Sequence, residues 1–199
     1  MGKLVRQIKS FWPIILLLIL SFLLRIYKLE ELFYFSYDEA IPAFVSRKLI
    51  EFGDISLLGG VTPFGYHLAP YFYWFLAGLL FLGNLSPIIW GWAGAIIAVL
   101  TTTMMFLVGK EFFNRKVGYL AATFWVFSYL ANLNDRHMWA LYWGPFVSLL
   151  VIYSLYKMIK GNDKFSYLLG ITLALAIHAD PSNLIFVALA VIAWVIYKI

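Results

Sequence analysis

The chain has 199 residues, of which 63% are hydrophobic and 13% charged, with a net charge of +5. A soluble domain is roughly 45–50% apolar and roughly 25% charged, and a chain this small cannot hide so much apolar surface from water. These figures exclude a soluble enzyme, a disordered protein and a nucleic-acid-binding domain, and they point to an all-α, polytopic transmembrane bundle.

A spanning helix needs about 20 mostly apolar residues. The first candidate span is 11–27; Lys3, Arg6 and Lys9 precede it and no small-residue cleavage site follows, so it reads as an uncleaved anchor. An outer loop, 28–68, comes next. Within it, about 39–52 suits an amphipathic helix lying in the interface plane. Ile41, Phe44, Val45, Leu49 and Phe52 can share its apolar face, with Arg47, Lys48 and Glu51 opposite. Asp38 or Glu39 can cap its start, Pro42 is tolerable in the first turn, and Gly53 stops it. Further apolar helices are expected at 69–83, 87–109, 117–133, 139–156, 165–179 and 182–197.

Lys and Arg in short loops set the sidedness. Three basic residues make the amino terminus cytoplasmic. Lys110, Arg115 and Lys116 mark a second cytoplasmic loop, and Lys157, Lys160 and Lys164 a third. Only one crossing then fits between the outer loop and Lys110, where two apolar stretches lie. The shorter, 69–83, is read as re-entrant or interfacial, which gives six full spans; the alternative is seven, with the Lys110 loop breaking the positive-inside rule. With six spans, ten basic and two acidic residues (Glu111, Asp163) face inward. Five basic and eight acidic residues face outward. Charges are expensive to place in lipid, so this outer concentration marks the face on which chemistry is expected.

Asp38 and Glu39 are the leading candidates. Adjacent carboxylates at a helix start near lipid can serve as a general base or hold a divalent cation; they equally suit an N-cap and a favourable first-turn charge. His67 can touch a phosphate or metal, or be an interfacial residue with one hydrogen bond. Asp135-Arg136-His137 can form a local ion pair or present Arg136 to an anionic head group. His178-Ala179-Asp180-Pro181 can offer His178 as a ligand or be a simple turn before a Pro-started helix. The aromatic run 71–75, Trp90 and Trp92 read as packing and interface anchors. There is no cysteine, no Gly-rich phosphate loop and no serine nucleophile elbow.

Taken in order, these segments resemble the amino-terminal part of the C-superfamily (GT-C) of membrane glycosyltransferases, in its protein-mannosyltransferase-like and aminoarabinose-transferase-like group. The resemblance starts with a first span ending Arg25-Ile26-Tyr27-Lys28-Leu29 and an outer loop with Tyr37-Asp38-Glu39-Ala40. It continues through Gly53, Gly60, HLAPYFYWFLA (67–77), the basic loop KEFFNRKVGYLAA (110–122), NDRHMWALYWGP (134–145) and LGITLALAIHADPSNLIF (169–186). Asp135 stands where a Ser precedes the Arg in the family. The resemblance implies transfer of a sugar from a polyprenyl-phosphate donor to a lipid, glycan or protein hydroxyl at the outer face of a prokaryotic plasma membrane. In that reading Asp38 is the general base, Glu39 orients it or a cation, and Arg136 stabilises the leaving phosphate. His67 and His178 are secondary contacts. No cofactor is required and a divalent cation is possible. Full members are longer, so the chain is expected to be a truncated or split copy, with a partner subunit able to supply further spans. The alternatives are a non-catalytic membrane scaffold or partner subunit derived from this family, and a transporter. The span interiors hold almost no ionisable residues, which argues against the last.

Overall fold

The computed structural model describes residues 2–33, 35–61, 65, 67 and 69–198; the side chains of 2–11, 178, 179, 181 and 198 lie outside that description. The architecture is all-α. Helix α1 (Gly2–Ile26) is followed by a single short turn, α2 (Leu29–Leu32), and by α3 (Tyr37–Phe52), α4 (Tyr71–Leu82) and α5 (Ile88–Phe112). Then come α6 (Arg115–Phe127), α7 (Tyr129–Asn134), α8 (Gly144–Ile159), α9 (Phe165–Ala179) and α10 (Leu184–Lys198). Two 3-10 turns, Ala140–Trp143 and Pro181–Asn183, lead into α8 and α10. Among the described residues the only bridge between extended segments is an isolated one, Val61 to His67.

Helix α5 is the central post: α1, α4, α6 and α8 all pack on it, while α3 packs on α4, and α9 and α10 on α8. Among the described residues α5 is the one helix long and apolar enough to cross a membrane, and the apolar helices Trp12–Ile26, Tyr71–Leu82, Phe165–Ile177 and Leu184–Tyr197 are shorter. At 12 residues, α4 is about 18 Å long, well short of a hydrocarbon core of about 30 Å. Large apolar side chains face outward along α1 (Ile15, Leu16, Ile19, Leu23) and around α10 (Ile185, Leu189, Ile192, Val195, Ile196).

Local chemistry explains the breaks. Asn114 caps α6, its side chain accepting from the Lys116 and Val117 N–H groups. Ser128 has extended backbone (φ −64°, ψ 121°), and its Oγ accepts from the Ala131 N–H. It therefore ends α6 and caps α7, so the apolar stretch expected as one helix over 117–133 is two. A serine that bonds its own backbone competes with the helix ladder, and apolar periodicity does not register that. The stretch expected from 139 likewise begins with a 3-10 turn, and its α-helix starts only at Gly144.

The part of the core that positions the site lies between α4, α5 and the segment after α7. Trp90 is fully buried and its Nε1–H donates to the Leu76 carbonyl at 3.2 Å. Phe72, Tyr73, Leu76 and Leu80 surround it, with Met138. The 71–75 run thus divides: Phe72 and Tyr73 are core, while Trp74, like Trp92, is exposed. Gly94 lets this segment lie directly on α5, because a Cβ there would collide with the Asp135 carbonyl. Deeper in the bundle, the buried Ser21 and Thr102 hydroxyls join α1 to α5 at 2.9 Å.

Candidate functional site

The site is assembled from the start of α3 and the turn that follows α7. Helix α3 begins with a capping box. Ser36 is the N-cap, and Glu39, at the third helical position, reaches back to accept from the Ser36 N–H at 3.0 Å. The cap is therefore Ser36, where Asp38 or Glu39 was expected, and Ser36-x-x-Glu39 is the pattern that would have found it. Pro42 falls in the second turn, not the first, and Gly53 (φ +68°) closes the helix as expected. The face that packs inward carries Glu39, Pro42 and Ser46, with the Ser46 hydroxyl donating to the Tyr73 carbonyl at 3.1 Å. Ile41, Phe44 and Phe52 point outward, and Lys48 lies over the Phe44 ring.

Glu39 is 1% exposed. Besides Ser36, its carboxylate accepts from His137 Nδ1 at 3.1 Å and from the Met138 backbone N–H at 2.9 Å. Burial pushes the Glu39 carboxyl up, but the His137, Ser36 and Met138 donors outweigh it and hold the group below the usual carboxylate range. Its neighbours are all donors, a setting suited to holding an anion and not to coordinating a cation. Among the described residues no group of three or more His, Asp or Glu side chains is placed to hold a metal. Asp38, one residue earlier, is exposed. The structure thus separates the pair: Glu39 is built into the scaffold and Asp38 stands at its surface.

Each residue of the Asp135-Arg136-His137 triplet reaches a different part of the chain. Asp135 accepts from Arg25 Nε (3.1 Å) and NH2 (2.9 Å). Arg25 is fully buried and also donates to the Val126 and Trp125 carbonyls at the end of α6. Arg136 donates to the Leu24, Arg25 and Tyr27 carbonyls at the end of α1. His137 takes Glu39, its ring lying between Phe33 and Tyr142. Burial pushes the Asp135 carboxyl up to about 6, against the pull of the Arg25 guanidinium. Ser36 is the structural member that the sequence reading missed; Arg25 entered it only in the ending of the first span, and Asp135 and His137 only as neighbours of Arg136 in a local triplet.

Beside this turn lies a pocket of about 280 Å³ at the break between α6 and α7. Trp125 and Tyr142 form part of its walls, and Ser128, Asn134 and Asp135 supply its polar groups. His67 is elsewhere: it is exposed, and Nδ1 donates to the Gly59 carbonyl at 3.2 Å. Among the described residues no hydrogen bond or ion pair joins it to Asp38, Glu39 or the 134–138 turn. His178 ends α9, and its side chain lies outside the described residues. The turn after it is closed by Asp180, which accepts from the Ser182 N–H (2.8 Å) and hydroxyl (2.6 Å).

Compared with family models, with curated proteins and with solved structures, the chain shows no match.

Proposed function

We propose that the chain is the membrane module of a polyprenyl-phosphate-sugar-dependent glycosyltransferase of the GT-C type, acting at the outer face of the membrane. The observation that carries this reading is the contact between Glu39 and the His137–Met138 segment. It joins the first outer loop to a turn 98 residues later, so that Asp38, next to Glu39, and Arg136, next to His137, lie on neighbouring stretches of backbone.

In this reading α1, α5, α6–α7, α8, α9 and α10 cross the membrane and α4 is re-entrant. The exposed aliphatic surfaces of α1 and α10 then face lipid, where in water they would form a large unfavourable patch. The shorter helices meet the interfaces through flanking lysines and aromatic residues. The amino terminus and the Lys110 and Lys160 loops are cytoplasmic.

The donor lies with its tail in the membrane and its sugar at the outer surface. Asp38 takes the proton of the acceptor hydroxyl as the oxygen attacks the anomeric carbon. The bond from that carbon to the phosphate oxygen breaks, and polyprenyl phosphate leaves. A positioned base is worth about 10²–10⁴-fold. Arg136 keeps its positive charge while capping α1, and that charge favours the departing phosphate. The pocket lined by Trp125, Tyr142 and Asp135 has aromatic faces and a carboxylate, groups that suit one sugar ring. The acceptor is a lipid, glycan or protein hydroxyl, and the membrane is a prokaryotic plasma membrane.

A non-catalytic scaffold is the second reading, and the engagement of Glu39, Arg25 and Arg136 in internal bonds favours it. The chain in nanodiscs, titrated with a polyprenyl-phosphate hexose and with the bare polyprenol, separates the two. Saturable binding of the first, tighter than of the second, supports the enzyme. Equal binding of both supports the scaffold.

A further inference from the structure

A carboxylate in the position of Glu39 calls for an explanation beyond stability. Buried ionic groups seldom add net stability, since well-packed apolar side chains of similar volume do as well or better. What three converging N–H donors add is direction, because each fixes a distance and an angle. One donor, Ser36 N–H, belongs to the same helix start. The other two, His137 Nδ1 and Met138 N–H, come from 98 and 99 residues away. Asp38 is one of the two residues between the Ser36 cap and Glu39, so its backbone is held from both sides. Seven residues further along α3, Ser46 pins the helix to the Tyr73 carbonyl on α4. The His137 ring is itself confined, stacked on Phe33 (centroids 6.2 Å, 21°) and tilted against Tyr142 (5.9 Å).

We infer that His137 is a positioning residue for Asp38: through Glu39 it clamps the first turn of α3 against the turn after α7. The inference rests on the glycosyltransferase reading only for what Asp38 does there. The clamp itself is independent of it. Without the His137 donor, only the Met138 N–H still ties the first turn of α3 to the turn after α7, while Ser46 holds the helix further along.

The test uses the full chain in nanodiscs, which has no cysteine of its own. Nitroxides are placed at Tyr37→Cys and Phe113→Cys, two exposed positions on α3 and at the far end of α5. His137→Phe preserves a flat ring between Phe33 and Tyr142 and removes the donor, whereas His137→Asn retains an N–H near the Nδ1 position. The expected result is one narrow distance distribution in the parent, a clearly wider one in His137→Phe, and return to the narrow one in His137→Asn. In a transfer assay His137→Phe lowers kcat by about 10²-fold, the scale of a misplaced reacting group, with donor KM unchanged, and His137→Asn restores it. If His137→Phe does not fold, Glu39→Gln is read in the same way, because it turns one acceptor oxygen into a donor. A folded His137→Phe or Glu39→Gln protein with the parental narrow distribution overturns the clamp, whatever its activity. A widened distribution together with transfer that ignores Asp38→Asn leaves the clamp standing and removes the base role of Asp38, and a widened distribution in a protein whose parent transfers no sugar leaves the clamp standing and removes the glycosyltransferase reading.

Discussion

Arg25 on α1 caps α6, and Arg136, just after α7, caps the helix that carries Arg25. Arg25, in the last turn of α1, donates to the Val126 carbonyl at 3.0 Å and the Trp125 carbonyl at 3.3 Å, at the end of α6. Arg136, just after α7, donates to the Leu24 carbonyl at 2.9 Å and the Arg25 carbonyl at 3.1 Å, at the end of α1. Helix carboxyl ends carry unpaired carbonyls and partial negative charge, and a guanidinium answers both. Asp135 supplies the carboxylate that pairs with Arg25 at 2.9 Å.

Removing half of this arrangement leaves a buried charge uncompensated. Arg25→Met lowers stability by about 3–5 kcal/mol, and adding Asp135→Leu recovers most of the loss. Unfolding of the reconstituted protein in a denaturing detergent series measures both. Equal stability of the single and double variants would show that the pair does not couple.

Glu39 and Asp135 give pH dependences of opposite sign. Glu39 is held below its unfolded value of about 4.3, so its contribution is present above that pH and lost as pH falls through the folded value. Asp135, raised to about 6, keeps its proton in the folded state between about 3.9 and its folded value, so stability declines as pH climbs through that window. In melting profiles across this acid range, Glu39→Gln removes the loss at the acid end. Asp135→Asn removes the decline below about pH 6. Unchanged profiles in both variants would contradict these assignments.

Two glycines form a matched pair of probes. Gly94→Ala drives a Cβ into the Asp135 carbonyl, which displaces the 134–138 turn and lowers stability by about 1–3 kcal/mol or more. Gly144→Ala meets nothing within 4 Å and stays within about 0.5 kcal/mol of the parent. Thermal unfolding compares them. Equal effects at the two positions would show that the turn does not rest on α5.

Sidedness is tested by single cysteines in a chain that has none. Tyr37→Cys reacts with an impermeant maleimide from outside intact cells, and Lys160→Cys reacts only after the membrane is opened. The reverse pattern would invert the topology and move the Asp38 surface to the cytoplasm.

Much of the fold was legible because it is local. Apolar runs located α5, α9 and α10 to within a few residues, Gly53 marked the end of α3, and the brevity of 69–83 survives in α4. Ser128 was not legible, because a serine inside an apolar run looks tolerable until its hydroxyl is seen to bond Ala131. The Asp38–Glu39 pair drew notice through its position, yet nothing local separates their environments. That difference comes from His137 and Met138, which lie far along the chain. For the same reason Arg136 read as part of a local ion pair or as open to an anionic head group, although the carbonyls it meets belong to α1. Long-range partners of polar side chains leave no periodic trace, and here they decide which carboxylate is exposed.

The central claim is that exposed Asp38, held in place by its neighbours, acts as a base in sugar transfer. The direct measurement is transfer from a polyprenyl-phosphate sugar by the reconstituted protein and by Asp38→Asn. Asp38→Asn loses about 10²–10⁴-fold in rate with the unfolding transition unchanged. Transfer at the parental rate by a folded Asp38→Asn protein would contradict it.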